Sequence, residues 1–148
     1  QTGRSRWPGE AAEMKHLALC LCLSLACYGQ LPQADASGEY SRRTLHTHWR
    51  VVDPDPEGLN GRLARDFPVN YDSVAAPWPS SPPLSWPVVA RFASGSLLRA
   101  RTGNVGVIRI NDPQGRSWMM VSRPEGSGIC FVRAHQRYIR PVDPDSKP

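Results

Sequence analysis

The chain has 148 residues and a formal net charge of +5, room for one folded domain and a leader but not for a second independent core. Its 15 prolines and 12 glycines favour short strands and irregular connections and exclude an extended helical bundle.

Gln1–Glu13 precede Met14 and are read as upstream or added residues, outside the fold. Met14-Lys15-His16 is a short basic start, and Leu17 to Cys27 is an apolar run too short to span a bilayer as a helix. Ala34-Asp35-Ala36 supplies a small-residue exit, so residues 14–36 are expected to be a signal peptide. Cleavage there removes Cys20, Cys22 and Cys27, leaving Cys130 with no disulfide partner. The alternative is a lipid anchor at Cys27, although Ser24-Leu25-Ala26 fits the usual lipobox poorly at its first two positions. Either way the chain is expected to be secreted, periplasmic or held at the cell envelope, and not to span a membrane.

Residues 37–48 are polar and aperiodic and are predicted to be a flexible linker. The predicted barrel covers 49–142. Trp49-Arg50-Val51 alternates, Asp53 to Gly58 breaks the strand with two prolines, and Leu59–Leu63 is a second short strand. Asp66–Pro87 is a Pro-rich insertion, with Tyr71, Trp78 and Trp86 set among Pro77, Pro79, Pro82, Pro83 and Pro87, a density that imposes turn or polyproline geometry and excludes helix. Period-two patterns return at Val88–Ala93, Leu97–Thr102 and Val105–Ile110. Asp112-Pro113-Gln114-Gly115 fits a type I turn leading into Ser117–Ser122, followed by an apolar strand at Ile129–Ala134. His135-Gln136-Arg137 suits one 3₁₀ turn before Tyr138-Ile139-Arg140, and 143–148 is a polar tail. The predicted core is Trp49, Val51, Leu59, Phe92, Leu98, Ile108, Ile110, Trp118, Met120, Ile129, Phe131 and Ile139. The fold class is therefore all-β, a small barrel of about five short strands carrying a long Pro-rich loop.

Several short motifs occur in a telling order: Leu59-Asn60-x-Arg62, Gly95-x-Leu97-Leu98, Trp118-x-x-Val121, Gly128-x-x-Phe131-Val132, then Tyr138-Ile139. Together they resemble the bacterial SH3 family across about two-thirds of the chain. The resemblance implies an SH3-like barrel, usually exported, often found beside wall-degrading catalytic domains and thought to bind peptides or wall components. The chain departs from it in two places. Ile129-Cys130-Phe131-Val132 replaces the usual Gly-Trp-Val, and the insertion between Leu63 and Val88 is long.

Three constellations carry candidate chemistry. Cys130 is the one nucleophile to test, with His135 the nearest histidine in sequence, but a mid-strand thiol among Ile129, Phe131 and Val132 reads as buried and inert. His46 and His48 share a face of an extended segment, yet a zinc site needs further ligands that no nearby pair offers, so no metal or cofactor is expected. Trp78 and Trp86 on a stiff loop suit recognition of a peptide or a sugar face; the alternative is that the rings fold back over the barrel. Tyr71, Tyr138 and Arg133 are candidates for the same groove.

From Ser37 onward the positive charges are spread singly along the strands and no basic run with interleaved aromatics occurs, so nucleic acid is not expected as a partner. The expectation is a non-enzymatic binding module for a peptide, a cell-wall polymer or an envelope protein. The alternative is a structural subunit docked on a larger envelope assembly.

Overall fold

Ser117–Ser122 and Ile129–Arg133 form a hairpin that is buried on both of its faces. In this computed structural model, which describes residues 3, 30–72, 76–126 and 128–145, the hairpin is the centre of the fold. Leu31–Pro148 form one compact unit. The upstream residues, most of the expected leader and the end of the tail lie outside the described residues.

The strands in chain order are β1 (His48–Val51), β2 (Leu59–Arg62), β3 (Val88–Phe92), β4 (Leu97–Arg99), β5 (Thr102–Gly103), β6 (Gly106–Val107), β7 (Arg109–Asn111), β8 (Ser117–Ser122), β9 (Ile129–Arg133) and β10 (Ile139–Pro141). Among the described residues strand makes up 35% and helix 3%, so the fold is all-β. One sheet runs β10-β1-β4, a second runs β3-β2-β9-β8-β7, and β5 and β6 make a small hairpin; all the pairings are antiparallel. An Ala100–Val121 bridge, and the Arg101 N–H donated to the Met120 carbonyl at 2.9 Å, join the first sheet to β8 and curl the assembly into a barrel-like form.

Side chains directly opposite in an antiparallel pair share a face. Met119 lies opposite Val132 and Val121 opposite Cys130, and these four face the inner core with Trp49, Val51, Leu98 and Ile139. Met120 opposite Phe131, Trp118 opposite Arg133 and Ser122 opposite Ile129 face the other way. On that side Trp118, Met120, Ile129 and Phe131 meet Ala64 and Trp86, with Phe67, Tyr71 and Trp78 packed alongside. The Pro-rich insertion is thus a second layer laid over the back of the hairpin. Each large apolar side chain it covers contributes about 1.5–3 kcal/mol by leaving water.

Two glycines make close approaches. Gly61 on β2 faces Cys130, and a Cβ there would stand 2.6 Å from its Sγ and 3.1 Å from the Phe92 ring. Gly106 (φ +116°) lets the β5–β6 hairpin dock on the Thr44 carbonyl, which a Cβ would meet at 2.6 Å.

Four expectations need correction. Val105–Ile110 is not one strand: Val105 is exposed at the tip of the β5–β6 turn, and β6 and β7 are separate because the chain changes partner at Ile108, whose N–H donates to the Arg101 carbonyl and whose carbonyl accepts from the Met120 N–H, both at 2.9 Å. Ile108 and Ile110 are only partly buried, whereas Tyr40, Met119, Val121, Val132 and Ala134 belong to the core. Pro83–Ser85 forms a single 3₁₀ turn inside the insertion, while 135–138 is an ordinary turn closed by the Tyr138 N–H on the His135 carbonyl at 2.9 Å.

The fourth concerns 37–48, which is not a loose linker. Glu39 bridges to His135, and Tyr40 packs edge-on against Trp49 with ring centroids 4.8 Å apart. Asp35 ties the start of this segment together: its carboxylate accepts from the Ser37 and Glu39 N–H groups at 2.9 and 3.0 Å and from the Ser41 hydroxyl at 2.9 Å. The three residues of the expected signal-peptidase exit, Ala34-Asp35-Ala36, are therefore part of the folded unit.

Candidate binding site

The five residues expected to bind a ligand fall into three environments. Trp86 is a core residue, 3% exposed. Its indole N–H donates to Ser81 Oγ at 2.8 Å, its ring meets Phe131 edge-on at 5.5 Å, and its carbonyl accepts from Arg62 at 2.9 Å. It holds the insertion down and is not available to a ligand. The density of prolines around it left the sequence ambiguous between display and burial; the uncovered face of Phe131 decides for burial.

Arg133 is also committed. Its guanidinium donates to both oxygens of Glu39, at 2.7 and 3.0 Å, and to the Ser117 carbonyl at 2.9 Å. It lies 5.7 Å from the Trp118 ring centroid and 6.0 Å from that of Tyr138. Arg133 and Tyr138 therefore belong with the N-terminal segment, and their contacts are not shared with Tyr71 and Trp78.

Tyr71 and Trp78 stay together. Phe67 is the pivot, with centroids 6.3 Å from Tyr71, 5.1 Å from Trp78, 5.9 Å from Trp86 and 5.4 Å from Phe131. Both rings are half-buried, so one face packs on the outer layer while the rest borders open space. They line a groove of about 360 Å³ with Arg43, Asp72, Asn104 and Arg109. A second groove, about 450 Å³, opens on the other side of Tyr71 and Asp72 and is bordered by Thr47, Arg99, Arg101 and Thr102. Arg101 donates to the Tyr71 hydroxyl at 3.2 Å. Arg109 donates to the Tyr40 carbonyl at 3.2 Å and to Ser117 Oγ at 2.8 Å; burial, and then repulsion from Arg43, lowers its pKa.

Sequence reasoning did not pick out Arg43, Arg99, Arg101 and Arg109. Arg99 and Arg101 lie within the period-two segment Leu97–Thr102, but nothing local signals that the insertion crosses over them.

The remaining candidates are accounted for by packing. Cys130 is fully buried, and burial pushes its thiol up to about 12 against a smaller opposing effect of Arg123. His46 Nε2 bonds the His48 carbonyl at 2.7 Å, and among the described residues no cluster of three His, Cys, Asp or Glu groups forms around the pair.

Fold and groove together define a small all-β, barrel-like protein with an aromatic and arginine-bordered surface cleft. The chain finds no match among family models, curated proteins or solved structures. No helix among the described residues is long and apolar enough to cross a membrane.

Proposed function

We propose that this chain is an exported, non-enzymatic SH3-like binding module that recognises a peptide or cell-wall component in the cleft at Tyr71 and Trp78. The supporting observation is that both rings are held on a layer fixed by Phe67 to Phe131, so a ligand meets aromatic surface whose ordering cost is already met by folding. The basic start at Met14-Lys15-His16 and the apolar run from Leu17 to Cys27 support export. A fully buried thiol with a raised pKa speaks against a cysteine nucleophile.

Docking on a larger envelope assembly is the second reading. It draws on the exposed Val88 and Val89 of β3 and on the nearby exposed Leu84, β3 being an edge strand paired only with β2 among the described residues. Retention on purified wall sacculi separates the two. Binding to protein-free sacculi that is lost in Trp78→Ala supports the module; retention only when envelope proteins are present, unaffected by Trp78→Ala, supports docking.

A further inference from the structure

The two grooves share Tyr71 and Asp72, and arginines stand in pairs on either side. Arg43 and Arg109 border the first; Arg99 and Arg101 border the second. Among the described residues the ion pairs are made by Arg91, Arg116 and Arg133, so none of the four groove arginines has a carboxylate partner. Arg101 is held by a phenol, and Arg109 by a carbonyl and a hydroxyl, neutral acceptors that orient a guanidinium without cancelling its charge. Arg43 and Arg99 are exposed, and Arg43 repels Arg109. Against these four cations the grooves offer one carboxylate, Asp72.

A main-chain feature runs through the same place. β5 contributes Gly103 to the first groove and Thr102 to the second. Its ladder partner among the described residues is β6 alone, so its other edge carries main-chain groups without a strand partner. Guanidinium forks match both carboxylate and phosphate. A polyphosphate, however, brings no N–H donors to a strand edge, whereas a peptide brings N–H and C=O in alternation.

We infer that the occupant is an acidic peptide lying extended across Tyr71 and Asp72. Its carboxylates meet Arg43 and Arg109 on one side and Arg99 and Arg101 on the other, and its main chain lies against β5. This rests on the reading of the same cleft as a binding site.

The test is fluorescence anisotropy of the full chain with a labelled short oligoglutamate. The comparison probes are oligoglutamine of equal length, backbone N-methylated oligoglutamate and inorganic polyphosphate. Oligoglutamate should bind with a Kd below about 1 mM, and oligoglutamine at least about tenfold more weakly. Joint Arg43→Gln and Arg99→Gln substitution, at two exposed positions, should raise the Kd about tenfold with an unchanged near-ultraviolet circular dichroism spectrum. N-methylation should weaken binding by a similar factor.

Equal affinity for glutamate and glutamine peptides, abolished by Trp78→Ala, would overturn the charge assignment and leave the peptide module standing. Equal affinity for polyphosphate and for the N-methylated peptide would overturn it in favour of a general polyanion surface. Absence of binding to every probe, with sacculi still retained through Trp78, would overturn the acidic-peptide assignment alone. Loss of sacculus retention as well would remove both.

Discussion

Glu39 and Arg133, 94 residues apart, form a two-pronged ion pair, with Arg133 Nη2 2.7 Å from Glu39 Oε1 and Nη1 3.0 Å from Oε2. The side chains keep only 10% and 17% of their exposure, so each charge depends on the other for solvation. The pair fastens the segment before β1 to the central hairpin, and Glu39 Oε2 also accepts the Ser117 N–H at 3.1 Å.

Removing one partner strands the other. Glu39→Ala is expected to destabilise the fold by about 3 kcal/mol, and Arg133→Leu alone by a similar amount. The double variant should recover part of the loss, because no unpaired charge then remains. Urea unfolding of the three variants gives the coupling energy, and strict additivity would show that the pair does not act as a unit.

A chain beginning at Ser37 lacks Asp35 and should melt at a lower temperature than one beginning at Leu31. Hydrogen bonds, first from the Ser37 and Ser41 hydroxyls, lower the Asp35 carboxyl to about 2. A carboxyl lowered in this way stabilises the fold above its unfolded value, and that contribution is lost as pH falls through about 2. The difference in melting temperature between the longer chain and its Asp35→Asn variant should therefore be present at neutral pH and shrink towards pH 2. A constant difference across that range would assign the effect to shape rather than charge.

Asp112 should reinforce the same acid sensitivity. Burial acts to raise its carboxyl, but the Arg116 N–H at 2.9 Å, the Trp118 indole at 3.2 Å and the Arg116 guanidinium at 2.7 Å together lower it. Asp112→Asn retains the shape but weakens these charge-assisted bonds, at a cost of about 1–3 kcal/mol in urea unfolding at neutral pH. In acid, where the wild-type carboxyl is itself protonated, the two proteins should converge.

Cys130 should react with a thiol reagent at neutral pH only after unfolding, since burial pushes the thiol up to about 12. Native labelling as fast as that of the denatured chain would place the sulfur at the surface. Gly61→Ala drives a methyl into that same sulfur and should cost about 1–3 kcal/mol in the urea midpoint, with labelling of Cys130 accelerated.

The all-β class was legible because Arg50 separates Trp49 from Val51, and Arg99 and Arg101 alternate with Leu98 and Ala100, as a half-buried strand requires. The same rule undercounted the core at β8 and β9. Strict alternation assigned Trp118 and Met120 inward and left Met119 and Val121 out, yet all four are buried because the hairpin has a layer on each side. A consecutive run such as Trp118-Met119-Met120-Val121 is itself the signal of a strand covered on both faces. Glu39 and Tyr40 were hidden by their polar surroundings, and the partner of Glu39, 94 residues away, leaves no local pattern. Of the candidate site, Tyr71 and Trp78 were legible as aromatics on a stiff loop. Their separation from Trp86 and Arg133, and the arginines beneath them, depend on where the loop lands.

Because β8 and β9 supply side chains to both layers, neither layer can melt while the other persists. Phe131 and Val132 sit on one strand, and losing the Pro-rich cover would wet one side of a ladder whose opposite side is the barrel interior. Calorimetric and van't Hoff enthalpies should therefore agree in a single transition, and the cleft should vanish in that same transition rather than fray beforehand.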